Sequence, residues 1–71
     1  MIGGMVDRLA SRLERSPRDA NGWISLIRAR SVLGENDLAK QALARGLDVF
    51  ADDAAERDRI AASARQLGLA P

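Results

Sequence analysis

Asp52, Asp53 and Glu56 crowd into one short stretch, and clustered carboxylates are what general acid–base chemistry would use. The same run also falls where a helix should begin, and there acidic side chains cap free backbone amides and face the positive end of the helix dipole. The capping explanation needs nothing further. Ser11, Ser16, Ser25, Ser31 and Ser63 are possible nucleophiles by type, but the chain contains no histidine to activate them. With no cysteine either, disulfides, thiol chemistry and the usual zinc sites are excluded together. Gly3-Gly4 follows no strand and precedes no Gly-Lys-Ser/Thr, so it is not a phosphate loop. Neither an enzyme nor a bound metal or cofactor is expected.

Arg8, Arg12 and Arg15 line one flank of the first helix, with Arg18 just beyond, and such a stripe could meet DNA phosphates. Asp7 and Glu14 dilute it, and the formal net charge of the whole chain is only +1. A solvated face of exposed ion pairs is the plainer account, with a DNA-associated helical module as the rival one. Ten of the eleven basic residues are arginine, which reflects codon composition as readily as carboxylate recognition.

These side chains need helices to position them. Ile2, Met5, Val6, Leu9 and Leu13 share one face of an amphipathic helix spanning Ile2 to Arg15, ended by Ser16-Pro17. Asp19 is placed to cap a second helix from about Ala20 to Leu33, where Trp23, Leu26, Ile27, Arg30 and Leu33 recur at helical spacing. Gly34 can take the positive φ that closes it, and Asn36 or Asp37 can cap a third helix running to about Phe50. Asp52-Asp53 caps a fourth, in which Ile60, Ala61, Ala64 and Leu67 share a face before Gly68. Trp23 is the only tryptophan, and Ala39 and Ala42 are small enough to let a neighbouring backbone approach it. The structural core is therefore expected at Leu9, Leu13, Trp23, Leu26, Ala39, Leu43 and Ile60, with Gly34 as the turn. At 71 residues the chain is one small domain burying only about 60% of its unfolded surface. No apolar run approaches the roughly 18 residues a bilayer span needs, and Met1 to Met5 lacks the features of a signal peptide.

Gly34 and Gly68 stand 34 positions apart, as do Pro17 and Ala51, so the helical unit has a period. Trp23, Leu26, Gly34, Ala39, Leu43 and Gly46 resemble the signature of the tetratricopeptide repeat, which has this length. Ile27 stands where that repeat often has glycine, Arg30 where it often has tyrosine, Gly46 for its second alanine and Ala51 for its closing proline. The expected architecture is all-α: four antiparallel helices stacked as a short tetratricopeptide-like solenoid. In that register residues 3–16 are the second helix of a preceding repeat, 20–53 one full repeat, and 54–68 the first helix of a following one.

A narrower resemblance covers nearly the whole chain. Met5, Val6, Arg8, Leu9, Leu13, Pro17, Asp19, Gly22, Trp23, Leu26, Arg28, Leu33, Gly34, Ala39, Leu43, Leu67 and Gly68 are similar to the C-terminal periplasmic segment of the CycH (CcmI) family of cytochrome c-type biogenesis proteins. The resemblance implies a periplasmic module of a membrane-anchored bacterial protein that holds apocytochrome c and hands it to the haem-attachment machinery.

In a tetratricopeptide stack the first helices of successive repeats line a concave groove that reads a polypeptide ligand. By this register the groove presents Asn21, Ile24, Arg28, Ser31 and Val32 from the second helix and Asp58, Arg65 and Gln66 from the fourth. Asn21, Ile24, Arg28 and Ser31 form a stripe at i, i+3, i+7 and i+10, on the opposite side from the expected core contacts Leu26 and Leu33. Ile24 is the candidate apolar anchor and Arg28 the candidate partner for a carboxylate, unless a neighbouring helix covers Ile24. Helix one would itself lack a covering helix, leaving Ile2 and Met5 partly bare and open to weak homodimerisation.

Overall fold

The computed structural model describes residues 2–69. Among the described residues there are four helices and no strand: α1 (Ile2–Arg15), α2 (Ala20–Val32), α3 (Asn36–Val49) and α4 (Ala54–Gln66). None of them is long and apolar enough to cross a membrane.

The bounds repeat to the residue. Shifting α1 and α2 by 34 positions gives the first and last residues of α3 and α4. The local chemistry repeats with them. Asp19 accepts the Gly22 amide at 3.0 Å and Asp53 accepts the Glu56 amide at 3.2 Å, so α2 and α4 begin with the same cap. Both end in the same motif as well. Gly34 and Gly68 take φ of 78° and 76°, and their amides bond Ser31 O and Arg65 O at 3.0 and 3.1 Å. One residue later the Glu35 and Leu69 amides bond Arg30 O and Ala64 O, each at 2.8 Å, which satisfies carbonyls that the helix ends leave free.

One expected cap is different. Helix α3 is preceded by Glu35 rather than Asn36 or Asp37, and no side chain caps it. The physical reason is that the turn is so tight: the Glu35 amide closes α2 while its carboxylate is drawn to Arg30 at 3.2 Å, and α3 starts at the next residue.

Helix α2 is central, packing against α1, α3 and α4, and α3 also packs against α4. Leu13, Trp23, Ile27 and Ile60 are the largest fully buried side chains. Leu26, Ala39 and Leu43 join them in one core cluster, against which Leu9 and Leu67 pack half-buried. Small residues set the approach of α3: a Cβ on Gly46 would lie 3.3 Å from Trp23 Cβ and Cγ. Leu33 departs from its expected core position. It is 41% exposed, because it stands at the cap of α2, on the rim of an open cleft. Gly34 is exposed too, and its part is conformational rather than packed.

Candidate functional site

The surface expected to read a ligand is assembled only in part. Asn21, Arg28, Asp58 and Arg65 are exposed on α2 and α4, whereas Ile24 and Ser31 are half-buried. Ile24 packs against the core cluster, so most of its surface is committed to the fold. Asn21 does structural work as well: its side-chain oxygen accepts from Arg59, which also pairs with Glu56 at 3.0 Å, and this ties α4 to the start of α2. Arg28, Asp58 and Arg65 form no ion pair with any described residue.

A second concavity lies elsewhere on α2, along its border with α1. It is an open cleft of about 520 Å³ lined by Met5, Val6 and Leu9 of α1 and by Ser25, Arg28, Ala29, Val32 and Leu33. Its lining is mostly aliphatic, and two of its side chains are unusually bare: Met5 is 79% exposed and Val32 77%. Large apolar side chains at that exposure, side by side on neighbouring helices, mark a surface suited to a partner. Arg28 stands on this rim and on the expected α2/α4 groove alike. Ile2 and Met5 are the residues of helix one expected to be partly bare; Met5 is, and the side chain of Ile2 lies outside the described residues. Sequence reasoning found Met5, Arg28 and Val32 but not their convergence with Leu9, Ala29 and Leu33, which depends on how α1 crosses α2.

The basic stripe is interrupted by pairing. Arg12 meets Asp19 at 3.5 Å and Arg18 meets Asp52 at 3.4 Å, while Arg18 also lies 5.1 Å from the centre of the Phe50 ring. Arg8 and Arg15 alone of the four have no ion-pair partner among the described residues. On the far side of α1, Arg45 of α3 makes a two-pronged pair with Glu14 and lies 5.9 Å from the centre of the Trp23 ring, covering the indole. No cluster among the described residues could hold a metal ion, and Asp53 is engaged as a cap, as its position before α4 requires.

No family model matches this chain, and no solved structure does. Two curated relatives are similar to it. The chain is 45% identical over 69 residues to the cytochrome c-type biogenesis protein CycH of Rhizobium meliloti, an alignment covering 97% of this chain and 18% of that protein. It is 36% identical over 69 residues to the protein of the same name from Bradyrhizobium diazoefficiens, covering 97% and 19%. The chain therefore spans less than a fifth of the length of either relative.

Proposed function

We propose that this chain, homologous along 97% of its length to a segment of the CycH cytochrome c-type biogenesis proteins, is a non-catalytic polypeptide-binding module in cytochrome c assembly. Its ligand is an unfolded segment of apocytochrome c, or a component of the haem-attachment machinery, held in a concave groove lined by α2 and α4. Asn21, Ile24, Arg28 and Ser31 supply one wall and Asp58 and Arg65 the other. The periplasm is its proposed compartment, as the resemblance to the CycH family implies. In repeat terms residues 3–16 close one unit, 20–53 form a complete one and 54–68 open the next.

The observation that carries this reading is the homology, since it brings cytochrome c assembly to the chain; the fold supplies the means. Helices that recur every 34 residues set α2 and α4 in contact, exposing Arg28, Asp58 and Arg65 as charges free to read a ligand. A stack of this kind presents an extended surface made by successive units, as repeat proteins use for binding.

Titrating an apocytochrome c peptide into isotope-labelled protein tests it by NMR. Shifts centred on Arg28, Asp58 and Arg65, weakened at least tenfold in Kd by Arg28→Ala with Arg65→Ala, are expected. Shifts confined to the outer face of α3 would overturn the site. The DNA-associated alternative predicts a steep fall of affinity with salt, with a slope set by the number of phosphates neutralised.

A further inference from the structure

Helices α1 and α3 hold equivalent places in successive units and border the same part of α2, yet they make no helix–helix contact with each other. A narrow gap of about 110 Å³ separates them, with Ala10 and Glu14 on the α1 wall, Ala42 and Arg45 on the α3 wall, and Trp23 and Leu26 beneath. The two alanines offer only methyl groups, which do not close it.

What crosses the gap is charge. Arg45 sends both terminal nitrogens of its guanidinium to the Glu14 carboxylate, one of them at 2.9 Å. The same guanidinium lies 5.9 Å from the centre of the Trp23 ring, which restricts where it points. Nearer the other end of α1, Asp7 meets Arg30 of α2 at 3.5 Å, and Arg30 is held in turn by Glu35 at 3.2 Å. Asp7, Ala10 and Glu14 stand at i, i+3 and i+7, so both acidic residues of α1 share the flank that faces α3. Met5 and Leu9, which border the α1/α2 cleft, are on the other flank.

We propose that the Glu14–Arg45 pair, assisted by Asp7–Arg30, is an ionic strap that sets the spacing of α1 and α3, so that the angle between successive units responds to ionic strength while every helix stays folded. Because α1 packs on α2 and not on α3, it tilts about that one line of contact without unpacking the α2/α3 pair. The two-pronged geometry fixes a direction as well as a distance. Arg45 and Glu14 are nevertheless 55% and 54% exposed, so the pair is weak and salt reaches it. A strap that is directional but weak sets a position without locking it. It lies on the far side of α1 from the Met5 cleft and away from the α2/α4 groove, so the inference is independent of what occupies either.

The test uses the 71-residue chain, which has no cysteine and therefore takes spin labels only where cysteines are introduced. Labels at Ser11→Cys and Ala44→Cys, both exposed, report the α1–α3 distance by double electron–electron resonance; labels at Ala44→Cys and Ala55→Cys, across the directly packed α3 and α4, are the control. From 0.01 M to 1 M salt the screening length falls from about 30 Å to about 3 Å. The Ser11–Ala44 distance should lengthen and broaden over that range, while the control pair and the helical circular dichroism hold. Glu14→Gln should give the long distance already at low salt and abolish the salt response, and Glu14→Arg with Arg45→Glu should restore much of the short one. Acrylamide quenching of Trp23, the only tryptophan, should rise with the distance. A Ser11–Ala44 distance that ignores both salt and Glu14→Gln would show that packing on α2 alone places α1; a lengthening matched by loss of helix, or shared by the control pair, would show unfolding instead of movement. Any of these overturns the inference.

Discussion

The indole Nε1 of Trp23 donates to the carbonyl oxygen of Pro17 at 2.7 Å, so the largest side chain of the core also fastens the turn that precedes its own helix. The ring is 2% exposed, with Gly46 against its base and the Arg45 guanidinium 5.9 Å from its centre. Packing and polar satisfaction coincide at one residue. Trp23→Ala should cost on the order of 3–5 kcal/mol, the range for removing a buried aromatic, and would leave a domain of this size close to unfolded. Trp23→Phe keeps most of the apolar contact and loses the bond to Pro17, so about 1–2 kcal/mol is expected. Urea denaturation followed by circular dichroism measures both. Equal losses for the two substitutions would show that the hydrogen bond, not the ring volume, carries the energy.

Gly46 and Gly4 should respond oppositely to alanine. Both lie in helices, where alanine gains up to about 1 kcal/mol over glycine. At Gly4 a Cβ meets nothing within 4 Å, so Gly4→Ala should be neutral or slightly stabilising. At Gly46 it would press on Trp23 at 3.3 Å and Ile60 at 3.4 Å, and Trp23 is pinned by Pro17 and cannot retreat freely. Overpacking of about 1–3 kcal/mol should then exceed the helical gain. Thermal melts of the two variants settle the signs; a Gly46→Ala protein more stable than the parent would mean α3 can shift outward.

Much of the fold could be read in the chain because its signals are local. Asp19, Asp53, Pro17, Gly34 and Gly68 act on their own neighbours, and each does in the structure what its chemistry requires. The α3 cap could not be read that way, since Asn36 and Asp37 are good capping residues and only the tightness of the preceding turn puts Glu35 there instead. Leu33 misled for a different reason. Helical periodicity says which residues share a face but not which faces meet, so Leu33 falls on an open rim while Ile24 is partly covered. The α1/α2 cleft was hidden for the same cause, as no single helix contains it.

The twin caps offer a test of how the units are coupled. Replacing either Asp19 or Asp53 with alanine removes one side-chain bond to a helix amide, a loss of about 0.5–2 kcal/mol. The consequences should spread differently. Helix α2 touches every other helix, so Asp19→Ala should speed amide exchange throughout the molecule, whereas α4 touches only α2 and α3. Asp53→Ala should therefore quicken exchange chiefly within Ala54–Gln66. Uniform exchange in both variants would mean that α4 does not open independently.

Arg30 separates stem burial from charge pairing. Its side chain is only 14% exposed, and it reaches Asp7 of α1 at 3.5 Å and Glu35 at 3.2 Å, joining both ends of α2's neighbourhood. Asp7 is 71% exposed and Glu35 38%, so water can replace the guanidinium at either carboxylate, and the two pairs together should contribute no more than about 1 kcal/mol. The aliphatic stem is a separate contribution, because it is sheltered whatever the ionic strength. Arg30→Ala should lose both and Arg30→Met only the pairs, so Met should recover about half or more of the alanine deficit. In 1 M salt, where screening acts within about 3 Å, the gap between parent and Arg30→Met should close while the gap between Met and Ala persists. Urea midpoints at low and high salt give both differences, and an Arg30→Met deficit unchanged by salt would mean that the guanidinium acts here by shape rather than by charge.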